Sequence, residues 1–341
     1  MNLQTMQDLM ARASGAKITV VGDFCLDKYL YIDPKLDEPS LETGKTAYQV
    51  VGKGIYAGGA GNVASNLRGL TAQVKCVGIV GDDGEGYELL NVLNKMGADT
   101  AGMIRDPHRC TSTYTKPMYG EPGAYEELNR LDFKNFKPMD KEIEAKVIEN
   151  MRACAAESDA LLVLDQFVEP DCGVINTAVR KAVFELAAER PDLVIYADSR
   201  AFIQLFSGVI VKCNNFEVVK SIHPDYEGEP DGETVLDCGS KLYAKNNRPV
   251  FVTRGKHGIM VFDADGVHSA DALNVPGPFD ICGAGDSAAS GIVLALSLGA
   301  SPEDAAALGN IIASITIQQI GVTGFATPAQ AVQRYIDYYG A

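Results

Sequence analysis

Short apolar runs bounded by turn residues alternate along this chain with stretches whose apolar positions recur every three or four residues. The runs are Ile18–Gly22, 74–80, Ala160–Leu164, Leu193–Ala197, Gly208–Lys212, Pro249–Thr253 and Ile259–Phe262. Their length predicts buried strands. Helical spacing occupies 61–70, 85–96, 141–156, 172–189 and 233–246, with Gly97 stopping the second. Residues 2–14 place Leu3, Met6, Leu9 and Met10 on one helical face. The last third adds helical stretches at 285–299, 303–319 and near 328–339. Strands alternating with helices predict an α/β body: a mainly parallel sheet covered on both faces.

Two stretches break that rhythm. Residues 27–57 and 107–133 are rich in Tyr, Thr, Pro and charge, and Tyr29–Tyr31, Tyr48–Val51 and Thr111–Met118 alternate like half-exposed strands. Together they predict a small antiparallel layer inserted in the body, with boundaries near 28–57 and 107–133. Pattern alone leaves open whether it covers a cleft as a lid or merely decorates the surface. With no internal repeat and no low-complexity linker, residues 1–341 read as one domain carrying an insertion.

Charge and cysteine usage narrow the partners. The 30 Lys and Arg stand against 45 Asp and Glu, for a net charge of −15. Such a surface opposes nucleic acid and anionic membranes, although a local field can still admit an anionic small molecule. Eight cysteines, at 25, 76, 110, 154, 172, 213, 238 and 282, form no C-x-x-C pair, and the four histidines are scattered without metal-ligand spacing. The expectation is reduced thiols in a cytoplasmic protein without a metal cluster. The first 17 residues lack the apolar centre of a signal peptide, and no apolar run reaches the 18 residues of a membrane span.

Four glycine- or asparagine-bearing segments carry the candidate chemistry. Gly58-Gly59-Ala-Gly61-Asn62-Val-Ala64 leads into the helix 61–70. Its backbone can approach a ligand closely, and the Asn62 amide suits a sugar hydroxyl. It also satisfies the dinucleotide pattern G-x-G-x-x-A, but some 35 residues separate it from the first strand, where that pattern belongs. Asp280-Ile-Cys-Gly283-Ala284-Gly285-Asp286 runs straight into an apolar helix. Unpaired N–H groups at such a start converge on one point and form a cradle for developing negative charge. Asp286 is either a helix cap or an acid placed to accept a proton from an attacking hydroxyl. Thr253-Arg-Gly255-Lys-His-Gly258 is a Gly-bounded turn after a strand, suited to a hairpin or to nucleotide phosphates. Asn214 and Glu217, three apart, either cap a helix or hold a hydrated Mg²⁺. Lys45-Thr46 follows Gly44, but Pro39 stands where a P-loop needs glycine.

In their chain order, VVGDFCLD (20–27), GGAGNVA, N-x-x-E, TRGKHG and D-x-x-GAGD resemble the ribokinase/PfkB family of carbohydrate kinases over roughly 17–325. GGAGNVASN, NRLDF (129–133) and Ala197-Asp-Ser-Arg200 are most similar to its heptose-phosphate kinase branch. The resemblance implies a ribokinase-like fold: a doubly wound, mainly parallel sheet with helices on both faces and a small inserted β-sheet lid. It implies transfer of the ATP γ-phosphate to a hydroxyl of a sugar or sugar phosphate, with Mg²⁺ and, at Asp280, a monovalent cation such as K⁺. It gives Asp286 the role of base and the amides of Gly283, Ala284 and Gly285 that of anion hole. Asp27, Gly58, Gly59, Asn62 and Arg130 fall on the sugar side. Asn214, Thr253, Gly255, Gly258 and Asn310 fall on the nucleotide side, and Asn214 with Glu217 organises Mg²⁺ through water. Some members of the family pair as homodimers through the lid, and the resemblance implies that a lid-to-lid homodimer is open to this chain. The chain departs from the pattern at Ser287, at D-S-R (198–200), at Cys213-Asn214 and in the lid run Pro34–Glu42, which holds Lys35 but no Arg. Ribose, fructose, ketodeoxygluconate and adenosine are the alternative acceptors. The alternative classes are a non-catalytic sugar or nucleotide sensor and a nicotinamide-dependent oxidoreductase.

Overall fold

The apolar run Ile18–Gly22 becomes the pivot of the molecule, as strand Lys17–Gly22 of a computed structural model that describes residues 1–321 and 324–340. Among the described residues the main sheet has nine strands. Their spatial order is Gly266–Ala270, Ile259–Asp263, Val250–Thr253, Ile210–Asn214, Val194–Ser199, Ala160–Asp165, Lys17–Gly22, Gln73–Gly81 and Asp99–Asp106. Pairing is parallel from Val250–Thr253 through to Asp99–Asp106, and antiparallel in the two hairpins at the other edge.

A strand in such a sheet is buried on both faces, and this explains the continuous apolar runs. Ala160–Asp165 is buried at every position. Leu162 and Leu164 join a core with helices Ala60–Gly69, Ala284–Ser297 and Pro302–Thr316. Leu161 and Val163 join the opposite core with helices Lys141–Ala155, Thr177–Glu189 and Gly232–Asn246. The chain enters at the sheet's middle, builds towards Asp99–Asp106, then returns beside Lys17–Gly22 and builds the other way. The reversal lies between Gly22 and Asp165, and in open α/β sheets the ligand crevice lies at the carboxyl ends of the strands there.

From that same end rises a second sheet of Phe24–Ile32, Val50–Gly59, Thr113–Glu121, Ala124–Glu127 and Leu131–Phe133. The expected antiparallel layer is corrected here, because Phe24–Ile32 and Thr113–Glu121 pair in parallel. Both continue from strands that already run parallel in the main sheet, Lys17–Gly22 and Asp99–Asp106, and so leave its edge in one direction. A second correction concerns the glycines: Gly58 and Gly59 end strand Val50–Gly59, and the helix begins at Ala60.

Other differences are local. The helix expected over 172–189 begins at Thr177, since the Asn176 side chain caps it by accepting from Val179 N–H at 2.9 Å. Strands Asp99–Asp106 and Gly266–Ala270 lie at sheet edges, where a weak apolar pattern suffices, and were not expected. All eight cysteines are free. Among the described residues, one of the scattered histidines does enter a mixed cluster. Contact between helices Asn215–Ile222 and Gly232–Asn246 brings ligand atoms of His223, Asp237 and Cys238 within 4.8 Å of one another. Among the described residues no helix is long and apolar enough to cross a membrane.

Candidate active site

Helix Ala284–Ser297 starts from Gly283, whose φ of 77° and ψ of 1° place it in the left-handed region that favours glycine. Its first N–H groups have no intrahelical acceptor. The Ala284 N–H donates to the Ile281 carbonyl at 3.1 Å. Of the three amides expected to form an anion hole, that one is therefore engaged within its own turn. Asp286 stands in the first turn, and its Oδ2 accepts a 2.6 Å hydrogen bond from Asn62 Nδ2. Asn62 is buried on helix Ala60–Gly69, and Asn66 Nδ2 donates to its Oδ1 at 3.2 Å. Ser290, one turn below Asp286, donates to the Asp286 carbonyl at 2.8 Å. Residues 224 positions apart are thus locked together where two helices pack. Burial pushes the Asp286 carboxyl up to about 6, the Asp198 carboxylate adds to the rise, and Lys212 and the Asn62 bond oppose it. An acid poised there is ionised at neutral pH yet basic enough to take a proton.

Asp27 faces this pair from strand Phe24–Ile32. Burial raises its pKa, and Lys116, with Nζ 3.6 Å from Oδ1, pulls the other way. Lys116 also donates to the Tyr29 hydroxyl at 2.9 Å. A Cβ at Gly58 would lie 2.7 Å from Asp27 Oδ2, so glycine there leaves room for the carboxylate. Asp27, Gly59, Arg130 and Asp286 line one cavity of about 420 Å³, together with Tyr114, Lys134, Gln166, Glu169 and Arg200. Arg130 makes a two-pronged bond to Asp132, at 2.7 and 2.8 Å, and lies 4.9 Å over the Tyr114 ring. Arg200 has no ion-pair partner among the described residues. Lys35 lies outside this cavity, paired with Glu121 at 2.6 Å on an exposed part of the second sheet.

The remaining expected residues lie outside the cavity walls. Asn214 and Glu217 form a reciprocal cap: Asn214 Oδ1 accepts from Glu217 N–H at 2.9 Å, and Glu217 Oε2 accepts from Asn214 N–H at 2.7 Å. Thr253 ends its strand, and Gly255 and Gly258 bound the hairpin turn with φ of 54° and 73°. A Cβ at Gly258 would lie 2.0 Å from the Ala270 carbonyl oxygen. Asn310 Nδ2 donates to that same carbonyl at 2.8 Å and to Asp271 at 3.1 Å, so the two meet at one corner. Asp280 Oδ1 accepts from Cys282 N–H at 2.9 Å, which braces the turn before the helix.

Sequence reasoning missed a buried network under the site. Lys212 and Asp198, both buried, pair at 2.8 Å. Asp23 accepts from Val174 N–H at 2.6 Å and Gln166 N–H at 2.9 Å, and burial pushes it up to about 6. Asp165 is pushed up to about 7, by burial first and then by the Asp23 carboxylate. The signal was present: a lysine and carboxylates at the ends of strands otherwise apolar throughout.

The crevice at the strand reversal and the second sheet rising beside it define an α/β fold of the ribokinase-like class. The chain belongs to the pfkB family carbohydrate kinases, whose family profile matches residues 16–329. It is 27% identical over 339 residues to a protein named bifunctional protein HldE from Trichlorobacter lovleyi, covering 97% of this chain and 65% of that protein. It is 29% identical over 321 residues to the protein of the same name from a Caulobacter species, covering 93% and 62%. The chain thus spans somewhat under two thirds of the length of these curated relatives. Among solved structures, Arabidopsis thaliana ribokinase complexed with ribose and ATP superposes with a TM-score of 0.69 at 18% identity, over 94% of this chain and 98% of that one. Escherichia coli phosphofructokinase-2 in complex with potassium superposes with a TM-score of 0.73 at 15% identity, over 94% and 99%.

Proposed function

We propose that this carbohydrate kinase transfers the γ-phosphate of ATP to a hydroxyl of a sugar phosphate, with Asp286 as base. The observation that carries the reading is the 2.6 Å Asn62–Asp286 bond at a helix start, on the floor of the cavity that Asp27 also lines. The acceptor hydroxyl lies between Asp27 and Asp286. Asn62 aims the Asp286 carboxylate, and Asp286 takes the hydroxyl proton late, as bonding to phosphorus develops. The N–H groups of Gly283 and Gly285 face the charge on the phosphoryl oxygens, and Ala284 joins them if its turn opens. Gly255, Gly258 and Asn310 hold the nucleotide end, with Thr253 beside them. The second sheet excludes water, the competing nucleophile, as a lid.

Glu217 keeps one carboxylate oxygen outside its cap, so with Asn214 it suits a hydrated Mg²⁺. That ion would neutralise phosphate charge when bound. Asp280 likewise keeps one oxygen for K⁺.

Arg130, Lys134 and Arg200 on one cavity favour an acceptor that already bears a phosphate, in a chain whose net charge is −15. The similarity to proteins named HldE and the heptose-kinase-like motifs favour a heptose phosphate among such acceptors. Ribose, fructose, ketodeoxygluconate and adenosine lack that phosphate. ADP release measured over a panel of sugars and sugar phosphates tests the reading. We expect turnover with a phosphorylated acceptor, and a kcat lower by roughly 10²–10⁴-fold in Asp286→Asn with acceptor affinity little changed. Thermal shift with a sugar but turnover with none would mark a sensor instead. Parent-level turnover in Asp286→Asn would remove the role given to that residue.

A further inference from the structure

We propose that Lys212 is a catalytic residue of this transfer: its ammonium donates to an oxygen of the phosphoryl group in flight, beside the start of helix Ala284–Ser297. The proposal rests on the kinase reading above.

Lys212 sits near the carboxyl end of strand Ile210–Asn214 with its side chain 8% exposed. An ammonium has three N–H donors. One goes to Asp198 Oδ2 at 2.8 Å, and no second acceptor is within hydrogen-bond distance among the described residues. A buried donor group without an acceptor is costly unless something occupies it. The unused donors lie against the anion cradle, since a Cβ built on Gly285 would stand 3.2 Å from Lys212 Nζ. Glycine at 285 therefore keeps the ammonium and the helix's free amides on one surface.

Charge makes the same point. An incoming phosphoryl group meets the carboxylates of Asp198, Glu217 and Asp286 around this ammonium. Without Lys212 they would repel it at short range in a water-poor site. A buried Lys–Asp pair is also poor value as mere structure, because two apolar side chains would pack there at no desolvation cost. Held by Asp198 at 2.8 Å, the ammonium is a fixed cation beside the cradle.

The acceptor oxygen bonds to the γ-phosphorus, the bond from that phosphorus to the bridging oxygen of ADP breaks, and ADP leaves with the bond's electron pair. The hydroxyl proton goes to Asp286, and Lys212 keeps all of its protons. Asp198 is a positioning residue, holding the ammonium by one N–H.

Lys212→Met alone strands Asp198 in the interior, so the decisive variant is Lys212→Met with Asp198→Asn, read against Asp198→Asn alone. Lys212→Arg is the conservative control. Melting temperature, kcat, acceptor KM and the affinities for ADP and for ADP–aluminium fluoride are measured on each. We expect the double variant to fold, and its kcat to lie roughly 10²–10³-fold below that of Asp198→Asn, the effect of one oxyanion donor. ADP affinity should hold, the advantage of ADP–aluminium fluoride over ADP should vanish, and Lys212→Arg should recover part of both losses. A folded double variant with kcat equal to Asp198→Asn overturns the proposal. So does an equal loss of affinity for ADP and its fluoride adduct, which would assign Lys212 to ground-state binding. If the parent turns over no acceptor, the kinase reading fails by itself, and the fluoride comparison still judges Lys212.

Discussion

Replacing Asn62 by Ala removes the 2.6 Å bond that its amide donates to Asp286 Oδ2. The bond favours the ionised carboxylate, and burial, the largest influence on that group, favours the neutral acid. A hydrogen bond to a charged acceptor contributes about 1.5–3 kcal/mol. At 1.36 kcal/mol per pKa unit its loss raises Asp286 by about 1–2 units, from about 6 towards 7 or 8. In the parent about nine-tenths of the molecules carry the ionised base at neutral pH; in Asn62→Ala roughly a half to a tenth would. The assay is kcat/KM against pH, which reports the free enzyme. The acid limb should move up by at least one unit while the rate above pH 9 falls much less. Asn66 Nδ2 keeps its 3.0 Å bond to the Asn62 carbonyl, so the helix should stay folded. If the acid limb stays at the parent position in a folded variant, Asn62 does not set the proton affinity of Asp286, and the reading of Asp286 as the titrating base is wrong.

Three further outcomes are expected. Gly58→Ala places a methyl 2.7 Å from Asp27 Oδ2 and pushes that carboxylate aside, so steady-state kinetics should show acceptor KM raised by roughly tenfold and ATP KM unchanged. Arg200→Ala should raise KM about 10- to 100-fold for a phosphorylated acceptor and leave an unphosphorylated one alone; equal effects on both would show that the guanidinium does not read the phosphate. Asp286→Asn should raise the melting temperature at pH 8 and scarcely change it at pH 4. Burial lifts Asp286 from the ordinary 3.8 to about 6, so the native state keeps a proton that the unfolded chain has released, and stability falls as pH rises through that window. The deficit above it is about 3 kcal/mol, and a variant no more stable at pH 8 would contradict it.

Legibility in the sequence followed burial. Ala160–Leu164 and Ile18–Gly22 stand out because a strand buried on both faces is almost wholly apolar. Asp99–Asp106 does not, since this edge strand is mostly exposed or half-buried and tolerates Asp, Thr and Arg. Asp280–Asp286 was readable as a turn before a helix because glycine at 283 is required by local backbone geometry. Lys212 passed as the polar end of a strand, because a single lysine does not reveal whether it will face water or a buried carboxylate.

The sequence by itself therefore determined the α/β alternation and the glycine turn that opens helix Ala284–Ser297 with an acid in its first turn, all governed by spacing within a few residues. Tertiary structure alone decided which distant groups meet. It placed Asn62 against Asp286, Lys212 against both Asp198 and Gly285, and Gly258 beside Asn310. It also made the central pair of the second sheet parallel. The physical reason is that hydrogen bonds and ion pairs fall away within a few ångströms, so partners separated by up to 224 residues acquire meaning only when the packed helices and the sheet fix where they stand.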